Sequence, residues 1–162
     1  MFKPVARAAD VDRVGLRVAV PVFTAAFAAD LLTKAWMVGH ADVIIFNGRG
    51  SDLPWRVLMS VVAIAVAVAL TRLAAWRGLG RTWGVWVGCG LLVAGVLANG
   101  VSPLLWSRGV PDFIDVSGGW VWNVADFEIV IGMTGGLLSV VVGACFLYVH
   151  KALVRRRLAL RA

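Results

Sequence analysis

Two cysteines, two histidines and one tyrosine are all that 162 residues supply of those side chains. Cys89 and Cys145 each fall inside an apolar stretch, where a free thiol behaves as a small hydrophobe. Neither a disulfide framework nor a thiolate metal site is indicated. His40 and His150 stand at the ends of apolar stretches without a ligand-spaced partner, which argues for interfacial side chains. A metal would need a cluster of ligands, so no metal or other cofactor is expected. Charge is scarce as well. Charged residues make up 15% of the chain against 60% apolar, with a mean hydropathy of +0.86. A soluble domain of this length is excluded, and the bilayer becomes the expected solvent. No low-complexity tract or internal repeat interrupts the chain.

A helix needs about 20 mostly apolar residues to cross a bilayer, and four stretches meet that length: about 17–38, 55–76, 83–101 and 127–149. They predict an all-α integral membrane fold with four transmembrane helices, a single four-span domain over residues 1–162. Only the connections at about 39–54 and 102–126 have room for a site. The first stretch has a basic start and small residues near Ala28 and Ala29, as a cleaved signal does. It continues through Asp30 and Lys34 to Val38, however, past the 7 to 15 apolar residues of a secretory signal, and reads as a retained span.

Cations set the expected orientation. Lys3, Arg7, Arg13 and Arg17 precede span one; Arg72, Arg77 and Arg81 separate spans two and three; Lys151, Arg155, Arg156, Arg157 and Arg161 follow span four. Lys and Arg bias short loops inward, so these ends, including both termini, are predicted to be cytoplasmic. The other two connections hold Arg49, Arg56 and Arg108 but gather Asp42, Asp52, Asp112, Asp115 and Asp126. The outer face is therefore acidic. A net charge of +7 distributed this way suits topology and anionic lipid, and nucleic acid is not expected as a partner.

Most remaining features have structural explanations. Trp36, Trp55, Trp76, Trp83, Trp106, Trp120 and Trp122 lie near span ends, as an interfacial belt requires. Gly132, Gly135, Gly136, Ser139 and Gly143 put small residues where span four can approach a neighbour closely. Spans two to four are almost uncharged through their centres, which argues against ion conduction or proton relay. Asp30 and Lys34 are an i, i+4 pair that could simply neutralise itself. Asn123 and Asp126 could be helix caps, and Asp115 a solvated turn residue. Those explanations leave one thing unaccounted for. Asp30, Asn99, Asp112, Asn123 and Asp126 converge at one membrane depth, on the outer side.

At these residues the chain resembles the lipoprotein signal peptidases (signal peptidase II). Asp30-Leu31-Leu32-Thr33-Lys34 is similar to that family's D-x-x-T-K. Gly109-Val110-Pro111-Asp112-Phe113-Ile114 resembles V-x-D-F. Trp122-Asn123-Val124-Ala125-Asp126, with Ile129 and Gly132 behind it, resembles F-N-x-A-D followed by I and G. The likeness is strongest over residues 109–132. There are two departures. Asn99-Gly100-Val101-Ser102-Pro103 stands where the family has N-x-x-D-R, with one residue more than usual before Asp112. In the first outer connection Asn47 matches the start of N-x-G-x-A-F, but Gly48-Arg49-Gly50-Ser51 follows.

The resemblance implies an aspartyl endopeptidase of the bacterial inner membrane, with its active site on the extracytoplasmic side. Its substrate would be a diacylglyceryl-modified prolipoprotein, cleaved on the N-terminal side of the lipidated cysteine, with the acyl chains left in membrane lipid. Asp112 and Asp126 would be the catalytic pair. Asp30, Lys34, Asn47, Asn99 and Asn123 would bind substrate or support the pair. Two close carboxylates retain one proton between them, so one can act as base and the other as acid, without metal or covalent intermediate. The alternative implied by Ser102-Pro103 is an inactive or divergent member that binds lipoproteins or acts as a membrane assembly partner. The first outer connection is expected to form a small strand-containing platform, although the run Val43-Ile44-Ile45-Phe46 is too short to fix its register. The second is expected to form a flap or short helix.

Overall fold

The computed structural model describes residues 8–41, 44–48, 53–79 and 83–159. Expectations that fall on Lys3, Arg7, Asp42, Val43, Arg49, Gly50, Ser51, Asp52, Arg81 and Arg161 lie outside the described residues. Four helices are long and apolar enough to cross a membrane. They are α1 (Ala8–His40), α2 (Leu53–Ala74, closed by a π-helical turn over Ala75–Leu79), α3 (Trp83–Leu105) and α4 (Val124–Ala159).

The helices run further than the apolar stretches that announce them. Hydropathy marks the part of a helix that suits hydrocarbon, whereas backbone hydrogen bonding continues into the polar flanks. The last turns of α4 accordingly carry Lys151, Arg155, Arg156 and Arg157, all exposed. Helix α3 extends to Leu105 with Pro103 in its final turn, so Asn99 lies within the helix and not at its end.

Helix α3 is the centre of the bundle, packed against α4, α1 and α2. Its buried residues are mostly small: Gly88, Gly90, Ala94, Gly95, Ala98, Gly100 and Ser102. Lipid supplies little hydrophobic drive between helices, so association depends on close van der Waals approach, which small residues permit. Gly88 marks the tightest crossing with α4. A Cβ there would lie 2.6 Å from the Gly132 carbonyl oxygen and 2.7 Å from the Gly136 Cα, both backbone atoms that can move only with their helix. The larger side chains face outward, among them Leu70, Leu137 and Phe146.

At the end of the bundle where α1 and α3 finish, short strands gather. Strand β1 (Ile45–Asn47) pairs antiparallel with β2 (Val110–Asp112), Ile45 opposite Asp112 and Asn47 opposite Val110. The β platform expected from the first connection is therefore completed by a strand from the second. That second connection forms no short helix. It continues as a hairpin of β3 (Ile114–Asp115) and β4 (Val121–Trp122), with Ile114 opposite Trp122. Three successive positive φ values, 82° at Ser117, 66° at Gly118 and 84° at Gly119, make the reversal that a helix would forbid. Asp115 closes this turn by accepting the Ser117 N–H at 2.8 Å, the turn role its position suggested.

Candidate active site

Asp30 and Lys34 project from one face of α1, one turn apart, and both are fully buried. The Lys34 Nζ lies 2.7 Å from Asp30 Oδ2. An ammonium has three donors, and the remaining two go to Asn99 Oδ1 at 2.8 Å and Ser102 Oγ at 3.1 Å, both on α3. Ser102 Oγ in turn donates a hydrogen bond to the Ala98 carbonyl oxygen at 2.6 Å. Asp30 Oδ1 accepts the backbone N–H of Ala125 at 2.8 Å. That amide is among the first in α4, where no intrahelical acceptor exists and the helix dipole favours an anion. Asp30 thus ties α1 to the start of α4 while Lys34 ties it to α3.

The first turn of α4 makes its own cap. Asn123 precedes the helix, and its Oδ1 accepts the Asp126 N–H at 3.3 Å, while Asp126 Oδ2 accepts the Asn123 N–H at 2.9 Å. The exchange has the form of a capping box, with Asp in place of the usual Glu or Gln. Asp126 Oδ1 accepts Asn99 Nδ2 at 2.9 Å. Asn99 therefore donates to Asp126 and accepts from Lys34, which fixes its amide orientation.

Asp112, on β2, is 2% exposed. Its Oδ1 accepts Asn123 Nδ2 at 2.6 Å, and its Oδ2 accepts Asn47 Nδ2. Antiparallel pairing puts Asn47 and Asp112 diagonally on one face of the β1–β2 ladder. The hairpin brings Trp122 back to Phe113, whose N–H donates to the Trp122 carbonyl at 3.0 Å, and so sets Asn123 beside Asp112. Burial pushes the Asp112 carboxyl above its ordinary value of 3.8. The Asn123 and Asn47 donors and the Lys34 charge oppose that rise, while the Asp126 charge adds to it.

All seven residues singled out in the sequence, Asp30, Lys34, Asn47, Asn99, Asp112, Asn123 and Asp126, belong to one hydrogen-bonded chain. It runs from Asn47 through Asp112, Asn123, Asp126, Asn99 and Lys34 to Asp30. Five of them line a cleft of about 510 Å³, namely Asn47, Asn99, Asp112, Asn123 and Asp126. Asp30 and Lys34 lie behind it. Trp120, Trp122, Ile129 and Val130 supply apolar wall. Among the described residues no group of three His, Cys, Asp or Glu side chains is placed to hold a metal ion.

Three residues here carry no motif that marks them in the sequence. Ser102 was a departure from a motif, yet its hydroxyl takes the third Lys34 donor. Arg56 reads in the sequence as an interfacial cation, yet it lines the cleft. Glu128, the chain's single glutamate, is 6% exposed in the second turn of α4, with its Oε2 lacking a hydrogen-bond partner. Its signal was available, since an acid inside an apolar span is costly wherever it occurs.

A protein family described as signal peptidase (SPase) II matches residues 43–142. The matched region includes Asn47, Asn99, Asp112, Asn123 and Asp126 and begins after Asp30 and Lys34. Among curated proteins, a lipoprotein signal peptidase of Rhodopseudomonas palustris (strain TIE-1) is 26% identical over 159 residues, covering 80% of this chain and 94% of that protein. No solved structure matches the chain.

Proposed function

The chain belongs to the signal peptidase II family, and we propose that it is an aspartyl endopeptidase that removes the signal peptide from diacylglyceryl-modified prolipoproteins, with Asp112 and Asp126 as its catalytic pair. The observation that carries this reading is the double grip of Asn123. Its side-chain amide donates to Asp112 at 2.6 Å and its backbone N–H donates to Asp126 at 2.9 Å, so one residue sets two carboxyl groups on one cleft wall.

The chemistry divides by environment. Asp126 lines the cleft and accepts two N–H donors, from Asn99 and Asn123, which hold its carboxyl group in one orientation, and it takes the role of base. Asp112, raised by burial, retains the shared proton. Asp126 takes a proton from water as the water oxygen attacks the scissile carbonyl carbon, and Asp112 gives its proton to the carbonyl oxygen. The tetrahedral intermediate collapses when the C–N bond breaks: the leaving nitrogen takes up the proton held on Asp126, and a hydroxyl of the gem-diol returns its proton to Asp112 as the carbonyl re-forms, which restores the pair. Asp30 and Lys34 brace the pair from α1. The missing D-R does not leave Lys34 short of an acceptor, because Ser102 Oγ stands there.

The same reading sets the protein in the bacterial inner membrane as a multi-pass chain with cytoplasmic termini. Its support is the clustering of Arg72, Arg77, Arg155, Arg156 and Arg157 at the ends of the helices away from the cleft. A cleft at the outer boundary lets acyl chains stay in lipid while the peptide reaches the carboxyl groups.

The direct test is cleavage of a diacylglyceryl-modified prolipoprotein by the purified protein. A finer one uses pH. Asp112 binds its proton more tightly folded than unfolded, so its contribution to stability is present at low pH and declines as pH rises from 3.8 towards its folded value. Activity is likewise lost on the alkaline side as that proton leaves. Asn47→Ala removes a donor that favours the ionised form, so the alkaline limb of kcat/KM is expected to move to higher pH. A limb that stays put or moves down would contradict Asp112 as the proton-retaining partner.

A further inference from the structure

We infer that Arg56 is a substrate-contacting residue that takes a carbonyl oxygen of the lipidated chain. This rests on the peptidase reading. Among the described residues Arg56 is the one cation lining the cleft that holds Asp112 and Asp126. Yet it pairs with neither. No ion pair within 4 Å joins it to either carboxylate, and its charge is absent from the influences acting on Asp112. Among the described residues the guanidinium also has no hydrogen-bond acceptor, so its donors are uncommitted.

Its position serves neither helix nor topology. Arg56 is the fourth residue of α2, in a first turn that contains no acid, so its charge opposes the positive end of the helix dipole. It also stands at the strand end of the bundle, opposite the end where most of the chain's cations collect. Its side chain reaches the platform. The guanidinium lies over Gly48, where any Cβ would overlap it, and Gly48 has φ +79°, which favours glycine independently. Gly48 follows Asn47, the residue that donates to Asp112. Arg56 thus lies over the same turn that positions the carboxyl group, and both line the cleft.

A cation with free donors, lining a cleft whose other polar groups already bond one another, is suited to an acceptor brought by the ligand. The lipidated chain offers carbonyl oxygens of two kinds, peptide and glyceryl ester, and a planar guanidinium can hold either. On α3, Pro103 stands one turn past Asn99, where the resembled motif carries arginine, so Arg56 is the guanidinium this cleft has.

The test compares Arg56→Gln, Arg56→Lys and, as an outer cation away from the cleft, Arg108→Gln, which stacks on Phe46. Arg56→Gln is expected to lower kcat/KM about 10- to 100-fold, mostly through KM. Arg56→Lys should recover part of the loss, and Arg108→Gln should change little. Equal effects at Arg56 and Arg108, or no effect at Arg56, overturn the inference. Binding of an uncleaved diacylglyceryl-modified peptide, measured with Asp126→Asn and with Asp126→Asn/Arg56→Gln, reads the same contact without catalysis. Weaker binding by the double variant supports Arg56 even if the unmodified protein cleaves nothing, whereas equal binding refutes it. A loss shared by the unlipidated peptide assigns a peptide carbonyl, and a loss confined to the lipidated one assigns the glyceryl ester.

Discussion

Asp112→Asn and Asp126→Asn should each lower kcat for prolipoprotein cleavage by roughly 10²- to 10⁴-fold, the range for removing a positioned general acid or base. The substitution is nearly isosteric, and each residue accepts hydrogen bonds from amide or backbone donors. An Asn can keep one such acceptor while losing the ability to exchange a proton. Thermal stability in detergent should therefore change much less than activity. Asp126 has the further duty of accepting the Asn123 N–H at the start of α4, so its variant should be the less stable of the two. Activity retained in either variant would remove that carboxyl from the chemistry.

Lys34→Met should destabilise the protein by about 3–5 kcal/mol, the cost of leaving one partner of a buried ion pair uncompensated. Lys34 and Asp30 are both fully buried, and Lys34 spends all three donors on Asp30, Asn99 and Ser102. Unfolding in detergent measures the loss. Asp30→Asn/Lys34→Met should recover part of it, because no naked carboxylate remains and Asn can still accept the Ala125 N–H. Activity should not return with stability, since Asn99 would keep its contact with Asp126 but lose the ammonium that orients it. A double variant as active as the unmodified protein would show that the α1 pair is a brace for the bundle alone.

Much of this was legible in the sequence because lipid makes polar residues expensive. Four apolar runs gave the helices, and the residues set against that cost, from Asp30 to Asp126, are those that meet in one hydrogen-bonded chain. What could not be read was pairing at a distance. Nothing in Val43 to Asn47 names Val110 to Asp112 as its partner strand, because a three-residue strand carries too little alternation to set register. The hairpin that replaces the expected short helix depends on positive φ at Ser117, and glycines alone pointed only to a turn. Against the family motif Ser102 reads as a loss. Its worth became visible only when Lys34 was seen to need a third acceptor. Arg56 is hidden for a similar reason, since a lone arginine near a span end resembles any interfacial cation until the cleft it lines is known.

Whether Asp112 and Asp126 work as a peptidase pair is decided by mass spectrometry of a diacylglyceryl-modified prolipoprotein incubated with the purified protein, beside the same precursor without the lipid. A single cut, on the N-terminal side of the modified cysteine, is expected in the lipidated precursor. An intact lipidated precursor, incubated with protein that is folded and binds it, would contradict the assignment of Asp112 and Asp126 as a working catalytic pair.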